Sequence, residues 1–505
     1  MSSTLAPETT DRALLWKVYS AVAAVAFLAS FLGSWQPSFW EDEVATLSAA
    51  TRPLGELPRL FASIDLSHGL YYVLLHLWTG VAGTSETALR FPSAVAVAAA
   101  CAGAVALVRR FVPLSAAVAA GALLAVLPRV TWAGSEARSA APSLMLAVFA
   151  TLLLTLAWKR PRPGILVAYA AVGVLGTVLF FPFALLFPAH LLATVLCARR
   201  RLLGIGIAAV VSLLATTPFL WAVSHQGAQA DWIGRRSLAD TVANILLKQY
   251  FYGNDRPTGN SPPGWILASV ALLALLLGVL VVLGLWAARR SAGASPGDPA
   301  DAAVPLGARA LAVLALCWIL VPSIGLALVS VAVKPIYEPR YLCFTAPGLA
   351  ILAALGLAHL FRRKASLALL AAALVLVTAT VPQLSLKSYV NVPHDRLRDI
   401  AALVHKTPGV TGAVYGRPEN RQASMAYPQD FVGVKDLSLA ASPTDSGTLW
   451  GVNRTVPSAE LRGTVVFVGD GGQKPSAAGG FAQAGCRQVR EISTQRLHFV
   501  EFRCP

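Results

Sequence analysis

Uncharged apolar runs of 16 to 36 residues recur along the first 386 positions of this chain. No other feature restricts the fold as much, because about 20 apolar residues in helical form span the hydrocarbon core of a bilayer. Over the whole chain 56% of residues are hydrophobic and 13% charged, against roughly a quarter charged in an ordinary soluble domain. A soluble enzyme is excluded. The runs predict eleven crossings: Val18–Trp35, Phe91–Val108, Val112–Leu127, Ser139–Trp158, two within Pro163–Ala198, Leu202–Trp221, Pro262–Ala288, Leu311–Val333, Tyr341–Phe361 and Ala365–Leu386. The first lacks a small-residue cleavage signature before the acidic stretch that follows, so it is expected to be retained. Within Pro163–Ala198, Phe180-Phe181-Pro182-Phe183 is either a turn or a kink.

Charge sets the expected orientation. The loops at Arg109–Arg110, Lys159–Arg162, Arg199–Arg201, Arg289–Arg309 and Arg362–Lys364 hold 14 Lys and Arg against two acids, Asp298 and Asp301, which marks them as cytoplasmic. Gln36 to Arg90 carries six acids and three bases, as expected of an external loop. An odd number of crossings from a cytoplasmic N-terminus leaves the C-terminus outside. The net charge of +16 comes from short basic clusters without interleaved aromatics, so topology explains it and nucleic acid is not an expected partner. Six cysteines with no CxxC pair argue against zinc or thiol redox chemistry, and no metal or cofactor is expected. The Ala, Val, Leu and Arg-rich composition resembles that of a GC-rich bacterial sequence, so the expected location is a bacterial cell membrane.

After Leu386 the composition becomes that of a soluble domain. A helix is predicted from Pro393-His394-Asp395 to Lys406, short buried strands at Gly412–Tyr415 and Thr464–Val468, and β-rich alternation at Gln488–Cys504. The expected organisation is a membrane domain over 1–386, with an external loop at 36–90, and a small extracytoplasmic α/β domain over 387–505. Outside the cytoplasm Cys486 and Cys504 are candidates for a bridge.

The external loop opens with Trp40-Glu41-Asp42-Glu43. Clustered carboxylates raise one another's proton affinity, which suits a general base; the plainer reading is a solvated acidic loop. Asp65, His68, Tyr71 and Tyr72 come next, leading into Leu75-His76-Leu77-Trp78, a stretch suited to a helix along the membrane surface that roofs a site or only anchors the chain. Arg138 and Arg340 are expected at external helix ends. There arginine can take a phosphate in two-pronged geometry or simply reach the headgroups. Loop Ser224–Ser261, with Lys248, Tyr250, Tyr252, Asp255 and Arg256, is a candidate flexible lid.

Four motifs occur in order: Asp42-Glu43 after the first helix, the run from His68 to Trp78, Ser85-Glu86-Thr87-Ala88-Leu89-Arg90-Phe91-Pro92-Ser93, and Ser135-Glu136-Ala137-Arg138. Together they resemble the GT-C superfamily of membrane glycosyltransferases. More closely, they resemble the family of protein O-mannosyltransferases and aminoarabinose transferases, particularly its actinobacterial mannosyltransferase-like members. The resemblance covers roughly residues 10–385 and leaves the tail out. Many relatives have His-Pro-Pro-Leu-Tyr-Tyr where this chain has Ser67-His68-Gly69-Leu70-Tyr71-Tyr72, and an aromatic pair where it has Ser139-Ala140. Both departures bear on the substrate rather than the reaction type.

The resemblance implies an all-α GT-C-like membrane domain and transfer, with inversion, of a sugar from a polyprenyl monophosphate to a glycan, lipid or protein hydroxyl at the external face. Mannose is the favoured sugar. It also implies Asp42 as the catalytic base, with Glu43, Asp65, His68, Tyr71, Arg138 and Arg340 contacting substrate. Among these, Arg340 in Lys334-Pro335-Ile336-Tyr337-Glu338-Pro339-Arg340-Tyr341 matches the arginine-tyrosine start of a late helix. The competing readings are a lipid or polysaccharide transporter or flippase and a non-catalytic cell-envelope partner protein. A transporter calls for internal repeats and polar residues near mid-membrane, and neither is evident here.

Overall fold

The structure is a computed structural model, and it describes residues 12–252, 263–290, 307–387, 396–494 and 497–505. Asp255, Arg256, Asp298, Asp301 and the Pro393-His394-Asp395 helix start lie outside the described residues. The described chain packs as two units, one built from 12–34 and 90–386, the other from 35–89 and the residues from 387 onward.

The first unit is helical. Among the described residues, eight helices that enter it are long and apolar enough to cross a membrane: Arg12–Phe31, Glu86–Val108, Ala140–Lys159, Arg199–His225, Gly264–Arg290, Ala308–Ala332, Pro339–Arg363 and Ala365–Ser385. A ninth span is counted if Leu114–Val126 and Pro128–Gly134, which meet at 67°, are taken as one. The break falls where proline chemistry puts it. Leu127 is extended (φ −65°, ψ 126°) because the ring of a following proline disfavours the helical region for the residue before it. Side chains meet carbonyls freed at the corner: Gln383 Nε2 donates to the Val126 carbonyl at 2.8 Å and Thr131 Oγ1 reaches that of Ala125 at 3.4 Å.

The Pro163–Ala198 run is divided by a turn. Phe180 is extended (φ −161°, ψ 108°), and Pro182 sits in the first turn of the short helix Phe181–Leu185. The two halves, Pro163–Leu179 and Phe181–Cys197, are apolar helices of at most 17 residues, the lower limit for a full crossing. All eleven expected segments are therefore helical, but eight rather than eleven have the length and hydropathy of an unbroken span.

Small residues let some of these helices touch backbone to backbone. A Cβ on Gly356 would fall well inside contact distance of the Leu280 carbonyl, and one on Gly284 would do the same to the Leu352 carbonyl. The helices Gly264–Arg290 and Ala346–Arg363 thus approach through reciprocal glycines, as packing in lipid favours.

The second unit contains a five-stranded mixed sheet in the order β2-β1-β5-β7-β6, with β1 Val410–Tyr415, β2 Lys435–Asp436, β5 Gly463–Gly469, β6 Arg487–Ser493 and β7 His498–Cys504. β3 Leu439–Ala441 and β4 Val452–Asn453 form a separate pair. β1 runs parallel to β2 and β5, and β7 antiparallel to β5 and β6. The β-branched runs expected to be buried are β1 and β5, whose Val414, Val465 and Phe467 form the core with Val500 and Phe502. A disulfide joins Cys486 to Cys504 across the end of the β6–β7 hairpin. Residues 35–89 add the helices Glu41–Ala50, Leu57–Ser63 and Gly69–Ala82.

Candidate functional site

In the second unit, Trp40 is extended (φ −106°, ψ 169°) and the helix Glu41–Ala50 starts immediately after it. Its first turn carries Glu41, Asp42 and Glu43, where unpaired N–H groups and the helix dipole favour negative charge. Successive helical side chains diverge by about 100°, and the structure uses that divergence. Glu43 is fully buried and accepts the Trp40 N–H at 3.4 Å, while Glu41 and Asp42 are only half-buried. Glu43 therefore closes the helix N-terminus, and Asp42 is left nearer the surface with its carbonyl taken by Thr46 Oγ1. At the other end, His76 Nδ1 lies 2.9 Å from the Ala50 carbonyl.

Asp65 sits in the left-handed region (φ 62°), the only non-glycine residue to do so among those described. Short polar side chains tolerate that conformation best. Its carboxylate accepts the Tyr72 hydroxyl at 2.6 Å, and the His68 ring lies 6.1 Å from that of Tyr72. Sequence reasoning took Tyr71 as the substrate-contacting tyrosine. Tyr71 and its neighbour Tyr72 are both buried, and Tyr72 engages Asp65. The helix Gly69–Ala82 buries Tyr71, Tyr72 and Leu75 and exposes Leu74, Leu77 and Val81. It thus has a buried face and an exposed face at the helical repeat, and the exposed face is apolar too.

The first unit holds Arg138 and Arg340. Arg138 is half-buried between the helices Pro128–Gly134 and Ala140–Lys159. Arg340 lies over the Trp232 ring at 5.5 Å and near that of Tyr341 at 5.8 Å. Around it the loop expected to act as a lid is tied down. Lys334 Nζ pairs with Asp231 at 2.6 Å and donates to the Gly227 carbonyl at 2.6 Å, Arg236 pairs with buried Glu338 at 2.8 Å, and buried Arg129 donates to the Lys248 carbonyl at 2.6 Å. Gln249 is fully buried, with its Nε2 at 2.8 Å from Thr345 Oγ1 and 3.0 Å from Ser323 Oγ, and its Oε1 accepts the Tyr337 hydroxyl at 3.3 Å. A buried carboxamide must find such partners, so the described part of the loop is docked rather than free. Arg129, Arg236, Gln249 and Glu338 were not singled out by sequence reasoning. Only the nearness of Tyr337-Glu338 to Arg340 hinted at two of their partners.

Residues 70–223 match the family model described as dolichyl-phosphate-mannose-protein mannosyltransferase. Among solved structures, the chain is similar to ArnT from Cupriavidus metallidurans bound to undecaprenyl phosphate, with a TM-score of 0.53 and 14% identity over 97% of this chain and 98% of that one. The chain has the fold of the GT-C glycosyltransferases. The Archaeoglobus fulgidus oligosaccharyltransferase, in complex with zinc and sulfate, gives a TM-score of 0.54 at 13% identity over 90% of this chain and 68% of that one. No curated protein matches by sequence. Family match and fold agree on the class, an integral membrane glycosyltransferase.

Proposed function

We propose that this chain is an inverting glycosyltransferase that moves a sugar, mannose in the favoured case, from a polyprenyl monophosphate to an acceptor hydroxyl at the extracytoplasmic face of a bacterial cell membrane. One observation carries the assignment of the base. Of the adjacent acids Asp42 and Glu43, the structure commits Glu43 to the helix N-terminus and leaves Asp42 half-exposed. The description of the matching family names a dolichyl-phosphate-mannose donor, and the similar ArnT structure holds undecaprenyl phosphate. Both support a polyprenyl phosphate carrier.

In this reading Asp42 takes the proton of the acceptor hydroxyl as its oxygen attacks the anomeric carbon from the face opposite the phosphate. The carbon–oxygen bond to the phosphate breaks, and the lipid monophosphate leaves with the bonding pair. Arg340, with Arg138, offers cationic donors for that charge. Asp65, His68 and Tyr71 belong to the substrate-contacting loop at 36–90, and the exposed stripe Leu74, Leu77, Val81 suits a helix lying in the interface. Residues 1–386 form the membrane glycosyltransferase domain and 387–505 a soluble domain outside the cytoplasm, an assignment favoured by the Cys486–Cys504 disulfide.

The test is consumption of polyprenyl-phosphate mannose by the purified protein in detergent. Asp42→Asn keeps size and hydrogen-bonding reach but removes the basic oxygen, so transfer falls by about 10² to 10⁴ while donor binding persists. Glu43→Gln, still able to accept the Trp40 N–H, has a milder effect and Glu41→Gln almost none. Normal turnover by well-folded Asp42→Asn together with loss in Asp65→Asn moves the base to Asp65.

A further inference from the structure

The segment Gln36–Arg52, which contains the acidic helix, is held at both ends by residues 362 to 401 positions further along the chain. On the N-terminal side the Phe39 N–H donates to the Tyr427 hydroxyl at 3.1 Å, and that hydroxyl donates to Glu86 Oε1 at 2.9 Å. Arg398 completes this end, with Nη2 on the same Glu86 oxygen at 2.6 Å and Nη1 on the Gln36 carbonyl at 2.8 Å. On the C-terminal side Ser48 Oγ donates to the Leu449 carbonyl at 2.7 Å. Arg52, two residues past the last helical position, donates Nη1 to the Pro443 carbonyl at 3.1 Å and Nη2 to the Thr448 carbonyl. Its Nε and Nη2 also hold Ser48, through the carbonyl at 3.1 Å and the hydroxyl at 3.2 Å. The short helix Gln422–Ala426 packs along Glu41–Ala50 between the two anchors.

The chemistry of these anchors differs from that of a surface contact. Arg52 is buried, and a buried guanidinium is tolerated only where its donors are met. Here the acceptors are three backbone carbonyls and the Ser48 hydroxyl. Carbonyl positions follow the path of the tail backbone, so Arg52 ties the helix end to the turn Pro443–Thr448 itself. At the opposite end one hydroxyl, that of Tyr427, both accepts and donates, so removing a single oxygen breaks the junction between Phe39 and Glu86.

We propose that the C-terminal tail, through Arg398 to Leu449, is the positioning element of the acidic helix, gripping it at Phe39 and at Arg52 and so fixing where Asp42 presents its carboxylate. The inference rests on Asp42 being the base. A displacement of about 1 Å at such a group costs on the order of a hundredfold in rate, which gives the soluble tail a direct hold on turnover.

The test uses the full-length protein in detergent and the variants Tyr427→Phe, Arg52→Ala, Arg52→Lys and the Tyr427→Phe/Arg52→Ala double variant. Hydrogen exchange over Glu41–Ala50 should rise about tenfold in each Phe or Ala single variant and further in the double variant, while the helices of the first unit keep their rates. With polyprenyl-phosphate mannose, kcat should fall about tenfold in the single variants and about a hundredfold in the double variant. The donor KM stays within about twofold, and Arg52→Lys recovers part of the loss. Unchanged exchange in the double variant, or a loosened helix with unaltered kcat, overturns the proposal. Absence of transfer by the wild-type protein overturns the glycosyltransferase reading and the catalytic half of this inference, and exchange alone then decides whether the tail grips the helix.

Discussion

Tyr72 donates its hydroxyl to the Asp65 carboxylate at 2.6 Å while Asp65 itself is held at φ 62°. A hydrogen bond to an ionised group contributes roughly 1.5 to 3 kcal/mol, and a left-handed residue other than glycine costs about 1 kcal/mol or more. The pair is therefore a side-chain clasp on a strained turn. Asp65→Ala loses the bond and keeps the strain, and should destabilise by about 2 kcal/mol. Asp65→Asn, which tolerates the conformation and still accepts, should cost less than half of that. Thermal unfolding of a double-mutant cycle with Tyr72→Phe checks it, and coupling near zero would remove the clasp.

The segment around Arg340 lets a structural cation be separated from a catalytic one. Glu338 is buried and paired with Arg236, so Arg236→Ala removes one partner of a buried carboxylate and should cost about 1 to 3 kcal/mol, less to the extent that the partly exposed arginine already shares its charge with water. Arg340→Ala removes a cation that lies over Trp232 and under the proposed role costs about a hundred- to a thousandfold in rate. Donor-saturated kinetics, corrected for folded fraction from parallel melting curves, should show the larger loss of rate in Arg340→Ala. Equal rates for Arg340→Ala and wild type would return Arg340 to a headgroup anchor.

The reciprocal glycines make a prediction about packing alone. Gly356→Ala places a methyl group against the Leu280 carbonyl, and because the obstacle is backbone rather than a flexible side chain, the two helices must move apart. The expected cost is about 1 to 3 kcal/mol, read as a lower melting temperature in detergent. Gly278→Ala, on the partner helix Gly264–Arg290 but with nothing within 4 Å of its Cβ, is the control and should be neutral or slightly stabilising.

Nonreducing mass spectrometry of protein from its native membrane should yield one linked peptide containing Cys486 and Cys504. With a sequence separation of 18, the bridge should contribute about 3 kcal/mol to the stability of the tail by chain entropy. Two free thiols in that material would argue against an oxidising location for the domain.

How much of the fold and the site was legible in advance depends on the range over which each signal acts. Hydropathy is local, so all eleven apolar segments were read as helices, and Val465 and Val466 marked a buried strand by their β-branched run. Pro182 announced a turn or a kink, but the break before Pro128 was not read in advance, and the groups that refill its freed carbonyls include Gln383, more than 250 positions away. The acidic pair was visible and so was the need for its members to diverge. Which of them faces inward was not, because it depends on the extended Trp40 that offers its N–H to Glu43. The hold of Ser48 and Arg52 on the tail had no sequence signal at all, since the acceptors at Pro443, Thr448 and Leu449 are carbonyls that any residue supplies.

The corner at Leu127 bears on the lipid as much as on the chain. A bend of 67° ordinarily leaves carbonyl oxygens bare, and bare carbonyls in hydrocarbon draw water inward or pull headgroups down, thinning the leaflet beside them. Gln383 and Thr131 meet that demand from within the protein, at the Val126 and Ala125 carbonyls. Leu127 and the residues after it are buried, so the bend is answered inside the protein and asks nothing of the surrounding lipid.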